Sequence, residues 1–370
     1  MNSKTVYLPG LNGIRAIAAI AVVLSHITLN FKDFGLDPYI FGAHFDGRPR
    51  TLDLAEYGVT MFFTLSGFLI TYLLWIEKDK QPINIKKFYF RRILRIWPLY
   101  YTYLLLCILT YYLFSIEHNS TSLLFYIFLS ANIPTLFGTA LPLLIHFWSL
   151  GVEEQFYLFW PWINKFKRKN ITTFTTFAIF YLIGLKIYLH LFTHYTFLEY
   201  IIHINRFHCM LIGALAAIYF KTNNTLFIKI TTNKYIQIIA WGALFIAAIN
   251  KFHIVTFLDN EFISVITVFI IMGQVTRRSI ISLENNILNY LGKISYGIYV
   301  IHPLLIFLFS KFLRDITPFK GINYIIIYTL ILATTIITSH FLYKYLEGPF
   351  LKFKRDKYTV VKSSGIAVKN

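Results

Sequence analysis

The chain has 370 residues, of which 56% are hydrophobic, 19% aromatic and only 14% charged, and its mean hydropathy is +0.58. This composition is far too apolar for a water-exposed globular protein of this length and indicates a polytopic membrane protein. The formal charge of +18 does not indicate nucleic-acid binding, because the basic residues lie in loops between apolar runs rather than on a soluble surface.

Apolar runs of about 20 residues recur along the whole chain, and only helices or closed barrels satisfy their backbone in lipid. The runs are continuous rather than alternating, which favours helices over a barrel. The sequence therefore predicts an all-α polytopic transmembrane bundle of about ten membrane-spanning helices. The predicted spans are 12–31, 57–76, 98–116, 146–163, 171–191, 200–220, 235–252, 255–275, 291–311 and 323–343.

Basic residues collect in every second inter-span segment, most densely at 78–95, at 165–169 and after residue 344. By the positive-inside rule, both termini are predicted to be cytoplasmic. One further apolar run, 122–137, would place the 165–169 cluster outside if it crossed, so we predict an interfacial or re-entrant segment. Residues 1–350 are expected to form the transmembrane domain, and 351–370 a basic, disordered cytoplasmic tail.

The first predicted span carries two polar groups in "GIRAIAAIAVVLSH". Arg15 and His26 are eleven residues apart, which is almost three helical turns, so both lie on one face about 16 Å apart. Ala18, Ala19 and Val22 lie between them, and such small side chains leave a groove that suits a long ligand with an anionic head, such as an acyl-CoA. The alternative is a snorkelling arginine, close packing through alanine and a histidine bonded to a neighbouring helix.

A second basic group precedes the third predicted span, in "KKFYFRRILRIWPLYY". Arg92 and Arg95 are three residues apart and share one face of a predicted interfacial helix, with Arg91 beside them. Arginine binds phosphate bidentately, so this group suits the phosphates of CoA. The alternative is a positive-inside anchor flanked by aromatic residues.

Two adjacent carboxylates, Glu153 and Glu154, occur in the predicted span "HFWSLGVEEQFYLFWPW". Charges at bilayer depth are costly and mark functional sites by default. On a helix, Glu153 shares a face with Tyr157 and is favoured as the inward-facing carboxylate. Either glutamate is suited to take a proton, to orient His26 or to pair with an arginine such as Arg206. A purely structural buried ion pair is the alternative.

The ninth predicted span, "GKISYGIYVIHPLL", brings Ser295, Tyr299 and His302 near one helix face. A hydrogen-bonded contact between helices explains this pattern equally well. The histidines show no metal-ligand spacing, and no Cys/His pattern accompanies them, so no metal is assigned.

Taken together, five motifs resemble those of the acyltransferase 3 family of integral membrane O-acyltransferases, the type that O-acetylates bacterial surface polysaccharides. They occur in the family's order and cover the chain from residue 8 to about 350. The motifs are Arg15-x10-His26, "FFTLSGFLI" at 62–70, Arg92-x-x-Arg95, "WSLGVEEQFY" at 148–157 and "ISYGIYVIHPL" at 294–304.

The resemblance implies an acyltransferase of the bacterial plasma (inner) membrane, of the class that transfers acyl groups other than aminoacyl groups. It moves an acyl group, usually acetyl, from cytoplasmic acyl-CoA to a hydroxyl of a cell-surface or lipid-linked glycan, such as the O-antigen of lipopolysaccharide or an exopolysaccharide. The implied catalytic residues are His26, Glu153 and Glu154, and the implied acetyl-CoA-binding residues are Arg15, Arg92 and Arg95. Substrate-contacting or supporting residues are expected at Ser66, Tyr157, Arg206, Ser295, Tyr299 and His302.

In the expected mechanism, His26 acts as general base on the acceptor hydroxyl while a nearby glutamate aligns it, and an acyl-histidine intermediate is the other route. Some family members carry an appended esterase-like domain, whereas direct transfer to the acceptor is expected here. The rival hypothesis is a transporter or flippase with a buried His/Arg/Glu relay, which predicts paired broken helices in two halves. No internal symmetry of that kind is visible in the sequence. A purely structural membrane scaffold is the third possibility.

Overall fold

A computed structural model of the chain describes residues 6–43, 47, 49, 53–193, 196–249, 251, 256–314, 316–359 and 363–364. Over these residues the fold is helical apart from two-residue strands, β1 (Val6–Tyr7) and β2 (Ser363–Ser364), which pair in parallel, and one isolated bridge. The α-helices are α1 (Leu11–Leu29), α2 (Leu54–Lys80), α3 (Ile85–Phe114), α4 (Leu123–Ile127), α5 (Asn132–Leu136), α6 (Trp148–Ile163), α7 (Arg168–Phe192), α8 (Phe197–Asn205), α9 (Phe207–Lys221), α10 (Thr225–Thr231), α11 (Lys234–Ala248), α12 (Asp259–Val275), α13 (Asn286–Ser310), α14 (Lys320–Phe341) and α15 (Gly348–Tyr358).

Seven helical segments among the described residues are long and apolar enough to cross a membrane: α1, α2, α3, α7, α8 with α9, α13, and α14 with α15. This confirms a multi-pass helical membrane protein. The other three predicted spans correspond to α6, α11 and α12, which have 16, 15 and 17 residues. At 1.5 Å per residue they are roughly 22–26 Å long, a few ångströms less than a typical hydrocarbon core.

The third span begins well before its predicted boundary, and the arginine motif is part of it. The Asn84 side chain caps α3 by accepting a hydrogen bond from the Lys87 N–H at 2.9 Å, so the helix starts at Ile85. Arg92 and Arg95 therefore lie on the spanning helix itself, and the prediction of a separate interfacial helix was wrong.

The predicted sixth span, 200–220, is broken in its first third. Arg206 has φ 44°, in the left-handed region, and it is both the C-cap of α8 and the N-cap of α9. Its guanidinium bonds offset the cost of this conformation, because Nε donates to the His203 carbonyl at 2.8 Å.

Helices α2 and α9 cross with their backbones in contact. A Cβ atom added to Gly67 would lie 1.9 Å from the Met210 carbonyl oxygen, and one added to Gly213 would lie 1.9 Å from the Thr64 carbonyl oxygen. Only glycine permits this approach, which is the small-residue packing typical of membrane helices.

Residues 122–137 form two five-residue helices, α4 and α5, which are too short to cross a membrane. Tyrosines of α3 satisfy backbone groups of this region and of the loop after it: the Tyr100, Tyr101 and Tyr103 hydroxyls donate to carbonyls of residues 126, 127 and 143 at 2.8–2.9 Å. Irregular backbone is tolerated in this way when protein groups replace water as partners.

The C-terminal region is ordered further than predicted. Helix α14 continues through a π-helical turn, Leu342–Glu347, into α15, so the prediction of disorder from 351 was wrong as far as Tyr358. The Arg91 guanidinium donates to the Tyr358 carbonyl at 3.2 Å, and the Phe90 ring stacks on the Tyr358 ring at 4.8 Å. These contacts anchor α15 on the start of α3. Residues 360–362 and 365–370 lie outside the described part of the tail.

The N-terminal segment is held at the same end of the bundle by Glu284, in the linker between α12 and α13. Its carboxylate accepts hydrogen bonds from the Tyr7 hydroxyl, the Gly10 N–H at 2.7 Å and the Asn289 amide at 2.8 Å. Partial burial disfavours the charged carboxylate, but these hydrogen bonds outweigh it, so the pKa of Glu284 lies below its usual range.

Candidate active site

Three cavities follow α1 from one end to the other. The basic cavity, about 840 Å³, is lined by charged residues Arg15, Arg92, Arg95 and Lys354. The middle cavity, about 680 Å³, adjoins it and shares five of its lining residues: Arg15, Ser66, Arg92, Arg95 and Tyr157. The histidine cavity, about 780 Å³, lies at the other end of α1 and is lined by His26, Asn30, Asp33, His146 and Trp148 among others.

The basic cavity concentrates positive charge that no direct ion pair neutralises. Across the described residues, neither the three arginines nor Lys354 forms an ion pair with a carboxylate. Arg92 packs instead against aromatic rings, with its guanidinium carbon 5.2 Å from the centre of Tyr157 and 5.9 Å from that of Phe88. The buried Nε of Arg92 has no hydrogen-bond partner. Such a group suits a polyanionic ligand, because arginine forks bind phosphate strongly.

Of the two adjacent glutamates, only Glu153 reaches the cavities. Its carboxylate lines the middle cavity and accepts a hydrogen bond from the Ser66 hydroxyl. Arg92, Arg15 and Arg95 act electrostatically on it. Glu154 lines neither the basic nor the middle cavity. Helix α6 thus directs Glu153 inward, as the face it shares with Tyr157 predicts.

A layer of side chains separates the middle cavity from the histidine cavity. The Ser149 and Tyr299 hydroxyls are 2.6 Å apart, and the Tyr299 hydroxyl donates to the His146 carbonyl at 2.7 Å. Ser149 and Tyr299 line the middle cavity, whereas the neighbouring Trp148 lines the histidine cavity. Ser295 also lines the middle cavity, one turn along α13 from Tyr299, and donates to the carbonyl of Gly292 at 2.9 Å.

His26 is aligned by another histidine. Its Nδ1 lies 2.7 Å from Nε2 of His302, and Nδ1 of His302 lies 3.2 Å from the Ile298 carbonyl oxygen. The expectation that a glutamate aligns His26 is wrong, because Glu153 lies with the arginines in the middle cavity. His302, expected on one face with Ser295 and Tyr299, is the member of that group that contacts His26.

The expected groove along α1 is absent from the structure described. Ala18, Ala19 and Val22 are fully buried, and the Ala18 carbonyl oxygen is only 2.7 Å from the position that a Cβ on Gly58 would occupy. Close packing through alanine, the alternative interpretation, is therefore correct. Arg15 and His26 share a helix face but line different cavities.

Arg206 lies outside the cavities and has a carboxylate partner other than Glu153 or Glu154. Its guanidinium pairs with Glu56 at 2.9 Å and donates to the Asn260 side chain at 3.0 Å. It also lies 5.5 Å from the centre of the Trp148 ring, which lines the histidine cavity. Arg206 therefore contacts the wall of the site and not its interior.

Among the cavity residues that sequence reasoning did not single out, His146 and Lys354 are the most informative. His146 lines the histidine cavity, with its ring centre 5.3 Å from that of His302, but it lies in a short 3-10 turn where helical periodicity does not apply. Lys354 lies in a segment that composition alone does not distinguish from a solvated tail. No three His, Cys, Asp or Glu side chains within the described ranges form a group that could hold a metal ion.

Residues 8–344 match the acyltransferase domain of the acyltransferase 3 family. O-acetyltransferase OatA of Staphylococcus aureus strain MRSA252 is 27% identical over 393 residues, covering 98% of this chain and 60% of the relative. The putative O-acetyltransferase SACOL0978 of strain COL is 27% identical over 379 residues, covering 94% of this chain and 58% of the relative. The chain thus spans about 60% of the length of these curated relatives. No solved structure matches it significantly. With its family match extending over nearly the whole chain, this protein belongs to the acyltransferase 3 family of membrane acyltransferases.

Proposed function

We propose that this chain is a membrane O-acetyltransferase that moves an acetyl group from cytoplasmic acetyl-CoA to a hydroxyl of a cell-surface or lipid-linked glycan. Two features at opposite ends of α1 support this function most directly. One is the group of four cations without ion pairs in the basic cavity, and the other is the hydrogen-bonded pair of His26 and His302. The printed names of the relatives, O-acetyltransferases, are consistent with the reaction type.

In the proposed topology, residues 1–350 cross the bacterial plasma membrane ten times, and both termini are cytoplasmic. In this arrangement α6, α11 and α12 also cross, and their short lengths are matched by local thinning of the bilayer. The strand pair β1–β2 and the contact of α15 with α3 support a common side for the two termini.

The basic cavity is the proposed donor site. Arg15, Arg92 and Arg95 would hold the phosphates of acetyl-CoA, and the partnerless Nε of Arg92 is a donor free for one of them. The bound donor supplies an acetyl thioester. The adjoining middle cavity, with Ser66, Glu153 and Tyr157, offers space for a narrow arm that extends away from the phosphates.

In the histidine cavity, His26 is the proposed general base. It takes the proton of the acceptor hydroxyl while the acceptor oxygen forms the new ester bond to the acetyl carbon and the carbon–sulfur bond breaks. The leaving thiolate then receives a proton. Transfer through an acyl-histidine is the alternative route. A layer formed by Ser149, Tyr299 and Trp148 separates the middle cavity from the histidine cavity. This layer must therefore open during turnover.

An acetyl-CoA-dependent transfer assay tests the function in membranes that contain wild type or His26→Ala at matched levels. Loss of the general base should lower transfer by about 10²- to 10⁴-fold. His118→Ala is a matched control, because His118 lies in an exposed loop and lines none of the three cavities. Undiminished transfer by His26→Ala would exclude this mechanism. Glycan flux without release of free CoA would instead support the transporter hypothesis.

A further inference from the structure

Helix α15 brings a lysine of the C-terminal region into the basic cavity. The unit from Lys320 to Tyr358 has 39 residues, so it is roughly 58 Å long, about twice the thickness of a hydrocarbon core. Its last turns therefore extend beyond the membrane, and contacts with Arg91 and Phe90 at the start of α3 hold them there. Lys354, in these turns, lines the cavity beside Arg15, Arg92 and Arg95.

Among the described residues, Lys354 forms no direct ion pair that would explain its position. Glu347 interacts electrostatically with Lys354 and Arg95, but it does not line the cavity, and Lys354 forms no ion pair with it. The Oε1 atom of Glu347 is buried without a hydrogen-bond partner. A lysine placed only to neutralise Glu347 would satisfy that oxygen. Four cations that converge on one cavity without a direct ion pair are expected to repel one another unless an anion binds between them.

We infer that Lys354 is an additional phosphate-binding residue of the donor site, and that α15 is a functional part of this site. The inference rests on the proposed donor. Lys354 lines the basic cavity but not the middle cavity, whereas the three arginines line both. It therefore contacts the phosphorylated nucleotide end of the donor and not the pantetheine arm.

Helix α15 contains a second lysine that serves as a matched control for substitution of Lys354. Lys352 lies two residues away, is exposed and lines none of the three cavities. Lys354→Gln should raise the KM for acetyl-CoA roughly tenfold, the loss expected for one charge-assisted hydrogen bond in a partly solvated site, with little change in kcat. Lys352→Gln should leave both constants unchanged, and Lys354→Arg should restore most of the affinity.

Two further measurements separate the possible outcomes. S-acetylpantetheine lacks phosphates, so its KM should not respond to Lys354→Gln, whereas an equal rise for both donors would overturn the inference. Binding of free CoA to purified protein in detergent requires no turnover. If wild type and Lys354→Gln bind CoA equally, the inference fails while the proposed donor stands. If wild type itself binds no CoA, the proposed function fails.

Discussion

At the scale of single residues, the histidine pair determines which nitrogen of His26 is free to act as a base. The Ile298 carbonyl can only accept a hydrogen bond, so Nδ1 of His302 must carry its proton. Nε2 of neutral His302 then has a lone pair and accepts from Nδ1–H of His26 at 2.7 Å. Nε2 of His26 is consequently unprotonated, which is the form that a general base requires.

We predict different outcomes for two substitutions of His302. In His302→Gln, the side-chain amide oxygen can still accept from His26, so kcat should remain within about tenfold of wild type. In His302→Leu no acceptor remains, the tautomer and the ring orientation of His26 are lost, and kcat should fall about 10²-fold or more. The KM for acetyl-CoA should change in neither variant. Steady-state kinetics in detergent measure both constants.

His340→Leu is the control for loss of a histidine, because the His340 ring bonds Tyr290 and lines none of the three cavities. Equal activity of His302→Gln and His302→Leu would show that the acceptor at this position has no role in the alignment of His26. A rise in KM without a change in kcat would place His302 in substrate binding instead.

At the scale of elements, the position of each site residue depends on how closely helices pack. Gly67 and Gly213 bring α2 against α9, while Gly292 lies with its Cβ position 2.0 Å from the Asn12 carbonyl oxygen and so brings α13 against α1. Helix α2 carries Ser66, α1 carries Arg15, and α13 carries Ser295 and Tyr299. These crossings therefore define the walls of the middle cavity.

Gly67→Ala should destabilise the protein although alanine is the better helix former. The added methyl would meet the Met210 backbone, and such overpacking lowers the free energy of unfolding by about 1–3 kcal/mol. Gly184→Ala in α7 is the control, because nothing lies within 4 Å of its Cβ position. Thermal unfolding in detergent should show a lower midpoint for Gly67→Ala and an unchanged or higher one for Gly184→Ala. Equal midpoints would refute the close crossing.

At the scale of the whole molecule, the number of crossings decides which cavity faces which compartment. If α6 crosses, residues before it and after it lie on opposite sides of the membrane. The cluster of basic residues at 165–169 then becomes cytoplasmic, in agreement with the positive-inside rule. The basic cavity would open to the cytoplasm, where acyl-CoA is found, and the histidine cavity to the outside.

Cysteine labelling tests this topology. Cys107 and Cys209 are buried, so the native background should be low. A membrane-impermeant maleimide applied to intact spheroplasts should label Asn119→Cys but not Asn170→Cys, which should react only after permeabilisation. Lys357→Cys should behave like Asn170→Cys. Labelling of both Asn119→Cys and Asn170→Cys in intact spheroplasts would mean that α6 does not cross.

The sequence by itself determined the helical membrane class, the approximate position of most helices and the polar residues that the bundle had to accommodate. Apolar run length, loop charge and helical spacing are local properties, and lipid leaves the backbone few alternatives to the helix. Local periodicity also placed Glu153 inward, and it set Arg15 and His26 on one face of α1.

Only the tertiary structure decided what each polar group contacts. Spacing along α1 could not show that alanine packing closes the groove between Arg15 and His26, because the neighbours on α2 come from distant sequence. For the same reason, the pairing of His26 with His302, 276 residues away, and the placement of Lys354 in the basic cavity have no local signal. Contacts between helices arise from packing of the whole bundle, and packing is not encoded in any single segment.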